Sequence, residues 1–323
     1  MISPIVWIGF IVLVALMMAV DLGVFNKKDH VPDTKESLRF TLFWISLALA
    51  FNLFVYFGYE NQWFGLGTYP KEPMGGKEAA LKYFTGYLLE EALSIDNLFV
   101  MALIFAQFKV PRQYQHRVLF WGIIGVLVFR GILIGVGAWL VSYFEWLFYV
   151  FGALLLYSAY KMWRKDDDAP QDFYKNPAVR VIKRFYPVTN QYVAGRFFVV
   201  EKRRWKVTPL FVALMVIETT DVVFAFDSVP AVFSITLDPF IVFTSNIFAI
   251  LGLRSMYFVL ANVIDRFHYI SYSLVAILFF IGVKMILIPM HIHVPIGLSL
   301  GVIGGLLVAG ILYSLHKSKP QAS

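Results

Sequence analysis

The residues best placed to do chemistry are three carboxylates inside an apolar run. Glu218, Asp221 and Asp227 lie in IETTDVVFAFDSVPAVF (217–233), and the chain around them, from Pro209 to Phe233, is otherwise apolar apart from hydroxyls. About 20 residues at ~1.5 Å rise span the hydrocarbon of a bilayer. A carboxylate near the middle of such a run costs roughly 2.5–3.5 kcal/mol on insertion scales, so these acids require a compensating partner. Thr219, Thr220 and Ser228 add hydroxyls, and Pro230 removes a backbone donor and pushes aside the carbonyl of residue 226. An oxygen-rich patch of this kind suits a hard cation.

A second stretch echoes the first. LLEEALSIDNLFV (88–100) carries Glu90, Glu91, Ser94, Asp96 and Asn97. A shift of 131 residues lays Glu90 on Asp221, Asp96 on Asp227 and Asn97 on Ser228. Asp21, in DLGVF, is a weaker third echo. Internal duplication accounts for the pattern. On an ideal helix residues 218, 221, 225 and 228 share a face, as do 90, 94 and 97. Asp227 and Asp96 fall about 240° from Asp221 and Glu90, so the acids of one helix do not all meet at one ion unless that helix is kinked or unwound. Pro230 allows this in span six, but span three has no matching Pro. Convergence between the two helices is therefore expected. Asp96 and Asp227 would be ligands of one cation near the midplane, flanked by Asn97 and Ser228. Glu90 and Asp221 would line the approaches or a proton route, and Glu218 completes the candidate metal ligands. The alternative is that the acids neutralise Arg130, Arg254 and Lys284, which are three bases against six acids.

The elements that must position these groups follow from composition. The chain is 59% apolar and 15% charged, with mean hydropathy +0.70, outside the range of soluble domains. Cysteine is absent, which excludes disulfides, thiolate metal sites and a Cys nucleophile. Nine spans are expected, at 4–25, 40–58, 79–107, 118–141, 145–162, 208–233, 239–260, 270–288 and 294–315. The fold class is therefore all-α, a polytopic membrane protein forming a single transmembrane domain. The first span has no basic segment before it and reads as a retained helix.

Of the 28 Lys and Arg residues, 12 lie between Lys161 and Lys206. The net charge of +7 then reports membrane orientation, and no nucleic-acid partner is expected. Basic residues cluster at Lys27–Arg39, at Lys109–Arg117 and in the 161–207 loop, whereas the turns near Ser142, Thr236 and His291 have none. This predicts an N-terminus outside and a cytoplasmic C-terminus in the plasma (inner) membrane. Spans three and six then run in opposite directions, an inverted repeat with its site at the midplane. The 161–207 loop opens on an acidic linker, DDDAPQD, and holds RFFVVEKRRWKV, an alternating stretch expected to form a hairpin. The segment Tyr59–Lys77 reads as an outer lid or re-entrant turn.

Oxygen ligands without Cys fit Mg, Ca or Mn. The pair His291/His293 is a weak metal signal. No GxxxxGK[ST] phosphate loop is present, nor the Gly-Asp motif of intramembrane aspartyl proteases, and the chain is not expected to be an enzyme.

EALSIDNLF (91–99), ETTDVVFAFDSVPAVF (218–233) and TSNIFAILGLRSMYF (244–258) together resemble the TerC family of integral membrane proteins, Alx-type members included. The likeness runs over roughly residues 15–315. The family's Glu-x-x-Leu-x-x-Asp-Asn pattern matches Glu90, Leu93, Asp96 and Asn97. Glu91 occupies a variable position. Glu218, Asp221, Asp227, Ser228, Pro230, Asn246, Arg254 and Lys284 match as well. The resemblance implies a fold of the lysine-exporter superfamily, links to tellurite resistance or alkaline induction, and manganese export.

Two functions are expected from these readings. The first is a secondary exporter of a divalent cation, Mn²⁺ with Ca²⁺ as the second choice, coupled to protons and needing no resident cofactor. The second is a non-transport membrane scaffold for metal or stress resistance and metalation of exported proteins. Amino-acid export is a third option. The partners are the cation and the lipid bilayer, with a homo-oligomer left open.

Overall fold

The computed structural model describes residues 2–25, 33–164, 173–189, 192–193, 195–201, 204–261 and 270–317. The acidic linker at 166–172 and the side chain of Asp21 lie outside the described residues. The long apolar runs fold as α1 (Pro4–Phe25), α2 (Thr34–Glu60), α3 (Gly76–Gln107), α4 (Arg112–Tyr143), α5 (Leu147–Trp163), α7 (Pro209–Phe233), α8 (Pro239–Leu260), α9 (Ile270–Leu287) and α10 (Ile296–Lys317). A short α6 (Pro177–Phe185) and a hairpin of β1 (Phe198–Glu201) and β2 (Arg204–Val207) stand between α5 and α7. Each of the nine expected spans is thus a helix. However, among the described residues the helices long and apolar enough to cross a membrane number six: 35–60, 112–143, 209–233, 239–261, 270–287 and 296–314. In their described parts, α1 and α5 are apolar but shorter.

Local sequence sets the ends of the elements. Pro209 and Pro239 occupy the first turns of α7 and α8, where the missing N–H is not needed. The Asp238 side chain caps α8, accepting from the N–H groups of Phe240 (2.9 Å) and Ile241 (3.3 Å). Asn176 caps α6 in the same way through Ala178 N–H at 2.8 Å. The α2 and α4 helices begin six residues before the expected spans, at Thr34 and Arg112. Their polar first turns, TKESLR and RQYQH, are good helix formers that extend the apolar run.

The hydrogen bonds between loops fix which ends lie together. Ser3 N–H donates to the Phe64 carbonyl at 2.9 Å, and Lys71 reaches the Ser142 carbonyl. Glu72 Oε2 accepts from Thr236 Oγ1 at 2.6 Å and Leu237 N–H at 2.7 Å. The start of α3 therefore lies beside the end of α7, and the two helices run antiparallel. At the opposite end Tyr257 of α8 donates to Gln115 Oε1 of α4 at 3.1 Å, and Tyr192 donates to the Phe108 carbonyl at 2.6 Å.

Three apolar clusters hold the helices. One, at the α6 end, joins α3, α4, α7 and α8 and takes in Val179 and Ile182 of α6 and Val207 of β2. Another joins α5, α9 and α10 to the other half of α7. The third joins α1 and α2 to α3 and α8 and is dominated by aromatic contacts such as Phe51–Phe248, with ring centroids 4.7 Å apart. The expected hairpin is present, with Phe198 opposite Val207 and Glu201 opposite Arg204. The α6 helix was not foreseen. Its signal is Asn-Pro followed by apolar residues three apart, Val179 and Ile182, both buried.

Candidate cation site

Helices α3, α4, α7 and α8 all reach Arg130, a wholly buried residue of α4. One guanidinium nitrogen, Nη1, forms an ion pair with Glu90 on α3. Two others, Nη2 and Nε, face the Asp221 carboxylate on α7 at 3.4 and 3.5 Å. Nη1 also lies 3.5 Å from Asn246 Oδ1 on α8. The contacts to Asp221 are long against the usual 2.7–3.2 Å, so charge holds them more than hydrogen-bond geometry does. The helical period decides which acids reach this point. Glu218, Asp221, Ala225 and Ser228 are all buried on α7, as are Glu90, Ser94 and Asn97 on α3.

Glu218 sits one turn before Asp221 on the same face of α7. Its carboxylate packs directly on Gly125 of α4, where any Cβ would collide with it. Oε2 of Glu218 and Oε2 of Glu90 are buried with no hydrogen-bond partner. Three buried acids against one guanidinium leave the site negative when all are ionised, and a guanidinium does not deprotonate in a protein. Beside Asp221 is a small cavity lined by Asn97, Val100 and Met101 of α3 and Ile217, Thr220 and Phe224 of α7. About 10 Å³ of it is open to the centre of a water molecule, which is about what one water needs.

The remaining acids go elsewhere. Asp227 accepts from Ser158 Oγ of α5 at 2.7 Å, as its place about 240° round the helix from Asp221 requires. Asp96 is half-buried on α3. The register set by Gly86 of α3 against Val232 of α7 offsets Asp96 and Asp227 by roughly five residues, about 7 Å along the helix axes. Glu91 lies against Gly252 of α8. Lys284 donates to Ser299 Oγ of α10 at 2.9 Å.

Glu90 and Asp221, expected to line the two approaches or a proton route, are both drawn to one guanidinium, whose long side chain bridges their offset. Neutralisation of acids by a buried base is thus realised at Arg130. Among the described residues, no three His, Cys, Asp or Glu side chains are grouped so as to hold a metal ion. Arg130 is the physical reason at Glu90 and Asp221, because its guanidinium stands between them.

Sequence reasoning missed a second polar cluster, at the loop 61–75 end. Besides its bonds to Thr236 and Leu237, Glu72 pairs with Lys82 Nζ at 2.8 Å, and Lys82 also meets Glu78. Burial pushes the Asp238 carboxyl up to about 6, against the pull of the N–H groups it caps and of Tyr59. The span beginning at residue 239 was legible in the sequence. Nothing in the sequence joined Glu72 to Asp238 across 166 residues.

Residues 75–322 match the family described as integral membrane protein TerC family. A protein of Myxococcus xanthus, "Uncharacterized membrane protein STKORF319", is 45% identical over 319 residues, covering 98% of this chain and 94% of that one. "Putative membrane-bound redox modulator Alx" of Escherichia coli (strain K12) is 42% identical over 307 residues, covering 95% and 92%. The protein of the same name from Photorhabdus laumondii is 40% identical over 326 residues, covering 99% and 98%. No solved structure matches.

Proposed function

Because the chain belongs to the TerC family of integral membrane proteins, we propose that it exports a divalent metal cation, Mn²⁺ first and Ca²⁺ second, in exchange for protons. The observation that carries this reading is the burial of Glu90 and Asp221 against Arg130 with Glu218 one turn away, and with carboxylate oxygens of Glu90 and Glu218 that have no hydrogen-bond partner. Charge of this kind inside a membrane marks an ion or proton pathway. Asp96 and Asp227, with Asn97, are the further ligands in this proposal. The acids bind metal when deprotonated and release it as they take up protons.

An inverted repeat of α3–α4–α5 and α7–α8–α9 is part of the same reading. Exchanging α3 with α7, α4 with α8 and α5 with α9 turns the α3–α8 packing into the α7–α4 packing. The same exchange maps α3–α7, α4–α8 and α5–α9 onto themselves. In this reading all nine long helices cross the plasma membrane, with the N-terminus outside and the basic 161–207 unit cytoplasmic. Alternating access then comes from rocking one repeat against the other about the site.

The test is uptake of Mn²⁺ against Ca²⁺, Mg²⁺ and Zn²⁺ into proteoliposomes, with and without a pH gradient. Mn²⁺ movement that follows the gradient is expected. No metal movement by the purified chain sinks the proposal. A second reading, a non-transport scaffold, is favoured by one observation: Glu90 and Asp221 already have a partner in Arg130. Under it, overproduction leaves cellular Mn²⁺ unchanged, whereas an exporter lowers it.

A further inference from the structure

We propose that Arg130 is a tethered cation that competes with the transported ion for Glu90 and Asp221, so that loading the site and moving the guanidinium aside are one event. The inference rests on the transport reading and names what regulates that site.

Arg130 pairs with both acids and is wholly buried. It keeps its charge at any working pH, so it relinquishes the carboxylates by moving. The geometry favours such movement. The Asp221 contacts at 3.4 and 3.5 Å are loose, and Asn246 Oδ1, at 3.5 Å, is a neutral acceptor on a different helix. One oxygen each of Glu90 and Glu218 lacks a partner. Asn97 and Thr220 add oxygens at the cavity beside Asp221. A hard divalent cation takes 6–8 or six such oxygens, depending on the ion, at about 2.0–2.6 Å. Held by the same carboxylates, it faces the guanidinium as a like charge. One of the two must leave.

The arrangement has a consequence for the transport cycle. A carrier with three bare buried carboxylates is strongly disfavoured in a low-dielectric interior. With Arg130 between Glu90 and Asp221, the site stays partly compensated after the ion departs, and the return of the guanidinium helps expel the ion. Arg130 is a positioning and exchange residue in this scheme, not a ligand.

The experiment titrates MnCl₂ into the purified full chain in lipid nanodiscs by calorimetry, for wild type and the Arg130→Gln, Arg130→Lys and Glu90→Gln variants. Arg130→Gln should bind Mn²⁺ at least about tenfold more tightly, the scale of ordinary coupling between sites, while its Mn²⁺ exchange in proteoliposomes falls. Arg130→Lys should keep affinity and exchange near wild type, and Glu90→Gln should weaken binding. Millimolar guanidinium chloride should weaken Mn²⁺ binding to Arg130→Gln and leave wild type unaffected.

A wild-type measurement covers the case in which Arg130→Gln does not fold. With ¹⁵N-arginine labelling, the Mn²⁺-induced infrared difference spectrum should show a guanidinium losing carboxylate pairing. Unchanged or weaker binding in folded Arg130→Gln, or an unchanged guanidinium band on loading, overturns the inference and leaves transport standing. Wild type that binds no divalent cation overturns the transport reading, and this inference with it.

Discussion

Glu90 and Asp221 occupy equivalent places in two similar segments 131 residues apart, and both reach the Arg130 guanidinium from antiparallel helices. The arrangement has unequal partners: one base serves at least two acids, and Glu218 adds a third buried carboxylate one turn from Asp221. Removing the base and removing an acid therefore have different consequences. Loss of one partner of a buried pair typically costs about 3–5 kcal/mol, because the other charge is left behind. Loss of one acid from a site with surplus negative charge relieves repulsion.

Stability in metal-free buffer should follow that asymmetry. Arg130→Gln should be destabilised by about 3–5 kcal/mol, seen as a lower thermal midpoint in detergent. Asp221→Asn should shift the midpoint far less. Equal losses for both variants would mean that Arg130 and Asp221 form an ordinary structural pair.

Gly125 gives a steric test of Glu218. A methyl group there collides with the carboxylate, whereas at Gly122 the nearest atom to an added Cβ is Ile217 Cγ2 at 3.8 Å. Gly125→Ala should displace Glu218, destabilise by about 1–3 kcal/mol as overpacking does, and impair Mn²⁺ exchange. Gly122→Ala should do neither. Full exchange by Gly125→Ala would remove Glu218 from the pathway.

The helices were legible because their signals are local. Apolar runs bounded by Pro209, Pro239 and Asp238 define α7 and α8, and the period of 3.6 already placed Glu218, Asp221 and Ser228 on one face. That period also put Asp227 elsewhere, and its bond to Ser158 shows where. The choice of Arg130 over Arg254 or Lys284 as the partner of Glu90 and Asp221 was not legible, since it depends on how α4 packs beside α7. The reach of Glu72 to Thr236 is of the same kind: a contact across 164 residues leaves no trace in spacing.

Glu72 should matter for folding more than its place in a loop suggests. It accepts from Thr236, Leu237 and Asp238 N–H and pairs with the buried Lys82. Hydrogen bonds to a charged group contribute about 1.5–3 kcal/mol. Glu72→Ala should therefore lower the thermal midpoint clearly. Glu78 also pairs with Lys82, but its side chain is half-exposed, so Glu78→Ala should lose under about 1 kcal/mol. The two midpoints, measured side by side, decide it.

Asp238 sets a pH dependence at the same end. Its folded carboxyl is raised to about 6 from 3.8, so the folded state binds the proton more tightly than the unfolded chain. Stability from this group is therefore fully present below the unfolded value and is lost as pH rises through about 6. Asp238→Asn keeps an N-cap acceptor and removes the titration. Its stability profile between pH 4 and 6.5 should be flatter than that of wild type, by thermal melts across that range. Parallel profiles would assign the slope to another group.

Asp227 separates a structural from a transport role most cleanly, because its hydrogen bond among the described residues is to one hydroxyl, Ser158 Oγ at 2.7 Å. Asparagine at 227 still offers an oxygen to that hydroxyl, so Asp227→Asn should fold and melt close to wild type. Ser158→Ala removes the donor and leaves the carboxylate in place. If Asp227 binds the cation, Asp227→Asn abolishes Mn²⁺ binding while Ser158→Ala keeps it, and Asp96→Asn behaves like Asp227→Asn. If Asp227 serves only to fasten α7 to α5, Ser158→Ala lowers the thermal midpoint and both variants bind Mn²⁺ as wild type does. Calorimetric titration of the three variants beside their melting curves distinguishes the two roles. Retained binding in Asp227→Asn would confine the cation to the Glu90, Asp221 and Glu218 carboxylates around Arg130.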